Sequence, residues 1–164
     1  MILETIILVA QTACVFFLAA WLTTGVLDNI FHSALNSTTT AEVLDMTRMR
    51  EEFPEAYEAV AHRRISDASV QKWLFAIIVV WEVVAAIALW SGFAAMLMAA
   101  LGQVDSTTGR SLAVLGALLF TSIWVGFLVG GNWFCYWFCH EGAQNTHYQM
   151  TIWGIATMIL LVVG

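Results

Sequence analysis

The sequence predicts an all-α fold: a four-helix transmembrane bundle with an amphipathic extramembrane segment between helices 1 and 2. Three observations predict it. Between Lys72 and Gly164 the one basic residue is Arg110, and the same stretch holds three long segments almost without charge. Near the N-terminus, residues 5–27 form a further uncharged run. The chain as a whole is 60% hydrophobic and 11% charged, with a mean hydropathy of +0.80, whereas soluble domains carry about 25% charged residues. Inside hydrocarbon every backbone N–H and C=O must be satisfied within the protein, so such runs read as membrane-crossing helices.

The first span covers 5–27, where about 20 residues suffice to cross. Trp21 lies near its end, and Asp28-Asn29 mark the exit. The first ten residues carry Glu4 and no Lys or Arg, so the run lacks the basic start of a secretory signal and is too long for one. The connection 28–72 is different in character, with five of the six basic and eight of the twelve acidic residues. Within it Val43, Met46, Met49 and Phe53 recur at helical spacing, and Tyr57, Val60 and Ala61 continue the stripe after Pro54. Thr39-x-x-Glu42 resembles a capping box, and Pro54 suits the first turn of a second helix. Residues 39–65 therefore read as two short amphipathic helices or one kinked helix. They lie either on the membrane surface or over the bundle as a cap.

The second span covers 73–101 and the third 111–134, with apolar character continuing to Cys139. The fourth covers 148–164, short but long enough, since about 17 residues can span. Trp73, Trp133 and Trp137 sit near span ends, where indole rings anchor at the headgroup level. All of 1–164 reads as a single integral membrane domain. Four crossings put both termini and the Arg110 loop on one side, and the 28–72 connection and the His140–His147 loop on the other. Counting Lys and Arg places the long connection in the cytoplasm.

Composition also excludes function classes. A net charge of −6 argues against nucleic-acid binding, which needs basic patches. Three cysteines, two of them inside or beside apolar segments, make no disulfide framework. Nothing resembles a P-loop, a Ser/His/Asp arrangement or a Gly-rich dinucleotide loop. No enzymatic activity and no cofactor are expected.

Glu82 is the most informative residue. It lies about nine residues into the second span, about 14 Å along a helix axis at about 1.5 Å per residue, which is near mid-bilayer. Ionised carboxylates there cost several kcal/mol and face a bundle interior or a cavity. Ala85, Ala86 and Leu89 share its helical face, and small alanines let a neighbouring helix approach. No Lys, Arg or His is available within a span to neutralise it. Either it stays protonated and bonds a Thr, Asn or carbonyl of a neighbouring helix, or it is a proton or ligand site. A lone acid is a poor relay, which favours the first reading.

Cys135-x-x-x-Cys139-His140, with His147 further on, offers thiols and imidazoles that suit zinc or copper. Metal pairs are more closely spaced and doubled, and haem attachment needs C-x-x-C-H, so the segment reads first as packing beside Phe134, Tyr136, Trp137 and Phe138. Gly126-x-x-x-Gly130, followed by Gly131, fits the small-xxx-small pattern of close helix contact, within the bundle or against a partner.

These residues also carry a resemblance. Gly130-Gly131-Asn132-Trp133-Phe134 with Trp137 resembles the Gly-Gly-x-Trp-Phe pattern of a bacterial family of predicted small integral membrane proteins of unknown function. Asp28-Asn29-Ile30 is similar to that family's Asn-containing exit. Glu82, in Ile77-Ile78-Val79-Val80-Trp81-Glu82-Val83, is similar to its acid in the second span. The resemblance implies four spans, no assigned reaction and a cytoplasmic N-terminus, opposite to the Lys/Arg count. Cys135, Cys139 and His140 lie outside the family pattern. Glu82 and Asn29 are then the candidates for a buried polar, ligand or proton site.

The expected function is a non-catalytic accessory or structural subunit of a larger membrane protein complex, respiratory, photosynthetic or transport, in the bacterial inner membrane. Its partners are the lipid bilayer and neighbouring helices. One alternative is a small proton-coupled transporter using Glu82. The other is a redox anchor binding quinone, haem or metal near Cys135, Cys139 and His140.

Overall fold

The structure is a computed structural model and describes residues 2–163. It is all-α among those residues. Four long helices, α1 (Ile2–Phe31), α5 (Ala68–Ala100), α6 (Ser106–Trp133) and α7 (Glu141–Val163), are each long and apolar enough to cross a membrane. Three short helices, α2 (Ala34–Asp45), α3 (Thr47–Glu52) and α4 (Pro54–Val60), fill the long connection.

The helix starts are written in the sequence. Asp67 accepts from the backbone N–H of Ser69 and Val70 at 2.8 and 3.0 Å, and Asp105 from Thr107 and Thr108 at 2.9 and 3.2 Å. Each carboxylate satisfies donors that an α-helix leaves orphaned. Pro54 stands at the first position of α4. Two expectations for the connection are corrected. Thr39 and Glu42 form no capping box: α2 begins five residues earlier, and its N-cap Ser33 makes no side-chain cap bond. The Asn36 amide bonds Asn29 of α1 at 2.7 Å, which ties the extra turn down. The connection has a further break at Met46, in the left-handed region at φ 53°, so three short helices stand where two, or one kinked helix, were expected.

Small residues set how closely the long helices approach. A Cβ on Gly92 of α5 would lie 2.7 Å from Ala113 Cα, and one on Gly116 of α6 would lie 2.9 Å from Leu89 Cα. At this seam α5 and α6 touch backbone to backbone, the packing that lipid-embedded helices favour. Ala85 and Ala86 are buried in the same core. A Cβ on Gly154 would fall on Thr121 Oγ1, so α7 seats on α6 against the Thr121 and Phe120 side chains. Trp21 of α1 joins this pair edge-on, with ring centroids 5.2 Å from Trp124 and 6.4 Å from Trp153.

Gly126 and Gly130 do not take part. Nothing lies within 4 Å of a Cβ built on either, so of the two contacts expected, within the bundle or against a partner, the first is not made: the pair faces outward. Gly131, by contrast, lies against the Tyr136 ring.

The apolar stripe of α3 and α4 is covered by the protein itself. Met46, Met49 and Tyr57 form a second small core with Cys135, and Phe53 packs on Phe138 at 5.1 Å. The short helices are thus a cap over the α6–α7 loop. Arg48 donates to the Cys139 carbonyl at 2.7 Å, and Arg63 donates to the Trp133 carbonyl at 3.1 Å while its guanidinium lies 4.7 Å from the Trp133 ring centre. Replacing Arg63 with Gln removes the cation over the ring, and we expect trypsin to open the cap faster; an unchanged cleavage rate would contradict the tether.

Candidate functional site

Three polar constellations stand out against the apolar bundle. The first is built on Glu82. Its carboxylate Oε2 accepts from Asn29 Nδ2 at 2.6 Å, and Asn29 Oδ1 accepts in turn from Asn36 Nδ2 at 2.7 Å. Glu82 and Asn29 are 5% and 7% exposed, so the pair is removed from its surroundings and satisfied by itself. The partner is a neighbouring helix's Asn. The depth differs from expectation. Counting from Trp73 puts Glu82 near mid-bilayer, but Asn29 is two residues from the end of α1, beyond the apolar run 5–27. The carboxyl therefore sits toward the cap end of the first span.

The second lies toward the other end of the bundle. Gln11, fully buried in α1, donates to the Leu160 carbonyl of α7 at 2.7 Å and accepts from Arg110 Nε of α6 at 3.0 Å. One amide thus joins three helices and engages the lone basic residue beyond Lys72. The sequence reading passed over it; a Gln inside an apolar run was the available signal. Replacing Gln11 with Leu should cost about 1 kcal/mol, the scale of interhelical hydrogen bonds in membranes. Unfolding in mixed micelles measures this, and an unchanged midpoint would contradict the joint.

The third lies between the cap and the α6–α7 loop. A cavity of about 10 Å³ is lined by Glu42, Val43, Met46, Met49, Phe134, Cys135, Tyr136, Cys139 and His140. Burial pushes the Cys139 thiol up, helped by nearby Glu52, and pushes the Tyr136 phenol up. Burial lowers His140, with the Arg48 charge acting the same way, so its imidazole is neutral near pH 7. Cys135, Cys139 and His140 are brought to one cavity, but His147 is not. It lies in α7 against the Phe127 ring, 4.9 Å between centroids, with its Nδ1 3.5 Å from Tyr136 Oη. The grouping of His147 with the cysteines is corrected: it lies one turn and more along a separate helix that turns it toward α6.

On the outer surface α5 and α6 leave an open, wholly apolar groove of about 380 Å³, lined by Trp73, Ala76, Ile77, Val80, Trp81, Val84 and Leu119. Helical spacing puts Ser122, Gly126 and Gly130 on the same stripe of α6 as Leu119. Trp73, Trp133 and Trp137 are 72%, 55% and 43% exposed, free to meet the headgroup layer.

Four long apolar helices define a multi-pass integral membrane protein, in contact with the lipid bilayer. Residues 7–164 match the model of the family described as predicted small integral membrane protein (DUF2165), and the chain belongs to that family. No curated protein and no solved structure matches it.

Proposed function

We propose that the chain is a non-catalytic accessory subunit of a larger assembly in the bacterial inner membrane, docked by a transmembrane helix of a partner protein. The observation that carries this reading is the outward Gly126-x-x-x-Gly130 stripe beside the α5–α6 groove. Within the chain nothing lies within 4 Å of either glycine's missing Cβ. Lipid tails gain nothing from glycine, whereas a helix backbone approaches closely where side chains are small. The groove is apolar throughout, so its occupant is an apolar helix rather than a charged ligand. The candidate polar residues do structural duty: Glu82 is bonded to Asn29, and Gln11 joins α1, α6 and α7.

Copurification in mild detergent at native expression tests this. A stoichiometric partner should appear with the natural sequence and be lost with Gly126→Leu and Gly130→Leu, while the bundle stays folded because both positions are open. Recovery of only a monomer or a homo-oligomer would remove the proposal.

A further inference from the structure

We propose that the cavity between the cap and the α6–α7 loop is a site for a soft monovalent metal ion, Cu(I), taken by the sulfurs of Met46, Met49 and Cys135 with the imidazole of His140. The proposal stands independently of the accessory-subunit reading. A cavity of about 10 Å³ has the size that holds one water or one small ion. Its lining carries four sulfur side chains, Met46, Met49, Cys135 and Cys139, and one imidazole. Among the described residues four buried side-chain nitrogens lack a hydrogen-bond partner, and two of them are Nδ1 and Nε2 of His140.

Its side chain is 10% exposed, and the nearest carboxylate, Glu42, is 3.9 Å from Nε2, too far for a hydrogen bond. A buried imidazole with both nitrogens idle is costly unless something takes a lone pair. Met46 and Cys135 are also the two non-glycine residues with positive φ among the described residues, at 53° and 54°. Such conformations carry strain and cluster where a ligand is clamped; both turn their side chains into this one small core.

The donor set decides which ion. The lining carries four sulfur donors beside one imidazole and one carboxylate, which is unlike a closed zinc site of thiolates and imidazoles. Thioethers and thiols beside an imidazole favour Cu(I), the soft ion for which Met and Cys are preferred ligands. Binding as thiolate releases the Cys135 proton, which balances the ion's charge; no electron is transferred.

The full chain, purified in detergent with Cys14→Ser to remove the remote thiol, is titrated anaerobically with Cu(I) against a chromogenic chelator. One Cu(I) per chain should be retained, and bound Cu(I) should slow alkylation of the half-buried Cys139. Met46→Leu with Met49→Leu keeps the apolar volume and removes both thioethers. It should weaken retention about tenfold or more, a scale on which metal-site partners act, with helicity unchanged and the unfolding midpoint moved only as far as a volume-conserving core swap moves it. Cys135→Ser should do the same. Loss of Cu(I) to the chelator, equal retention by the Met variant, or displacement by an equal amount of Zn(II) would each overturn the site and leave the cavity holding only water.

Discussion

Gly92→Val and Gly116→Val should each break the bundle's central seam. A Cβ on Gly92 stands 2.7 Å from Ala113 Cα, and one on Gly116 stands 2.9 Å from Leu89 Cα. Both neighbours are backbone, so no side chain can rotate away and the helices themselves must part. Overpacking a tight core costs about 1–3 kcal/mol and sometimes more. Here the cost is compounded, because parting α5 from α6 also strips contacts from Leu89, Ala113 and Phe120, all fully buried. Lipid offers no compensating hydrophobic drive to hold two helices together. Denaturation in mixed micelles should show both variants unfolding far earlier than the natural sequence, with Gly126→Val indistinguishable from it. A Gly116→Val protein as stable as the parent would mean that α5 and α6 are not at this separation.

The second large effect is at the cap end of α1. Asn29→Leu removes the amide that bonds both Glu82 and Asn36. It leaves a buried carboxyl without its partner, a loss of about 1–3 kcal/mol. Glu82→Gln keeps an acceptor oxygen for Asn29 and should be tolerated. The double variant Asn29→Leu with Glu82→Leu should recover part of the loss, since removing both partners of a buried pair is milder than removing one. The cycle therefore yields a coupling energy that a pair acting independently would not give. Additive losses would contradict the bond. If Glu82→Gln instead left folding intact and abolished a pH-dependent flux in liposomes, Glu82 would be a transport residue.

The four crossings were legible because lipid acts on composition: an uncharged run long enough to span has few other solutions. The ends were less so. α7 begins at Glu141, seven residues ahead of Tyr148, and α1 runs on to Phe31. A helix continues past its apolar run when polar residues such as Asn29 find partners in the cap, and those partners are far away in sequence. For the same reason the stripe Met46, Met49 and Phe53 announced a buried face without naming what buries it. Its partner is the loop around Cys135, about ninety residues further on.

The glycine pairing left its partner open for a different reason. Gly126-x-x-x-Gly130 states that a helix can approach closely, not that the approaching helix belongs to the same chain. The seam inside the bundle uses Gly92, Gly109 and Gly116 with alanines between them, a looser pattern than the motif. Gln11 was hidden by the same uniformity that made the first span obvious.

The central claim is that the outward stripe of α6 receives another protein's helix. A photoreactive side chain at Val129, which is 68% exposed beside that stripe, tests it most directly in intact membranes. Irradiation should yield one discrete adduct to a different polypeptide, lost when Gly126→Leu is added. Adducts to lipid alone, or to a second copy of this chain, would contradict it.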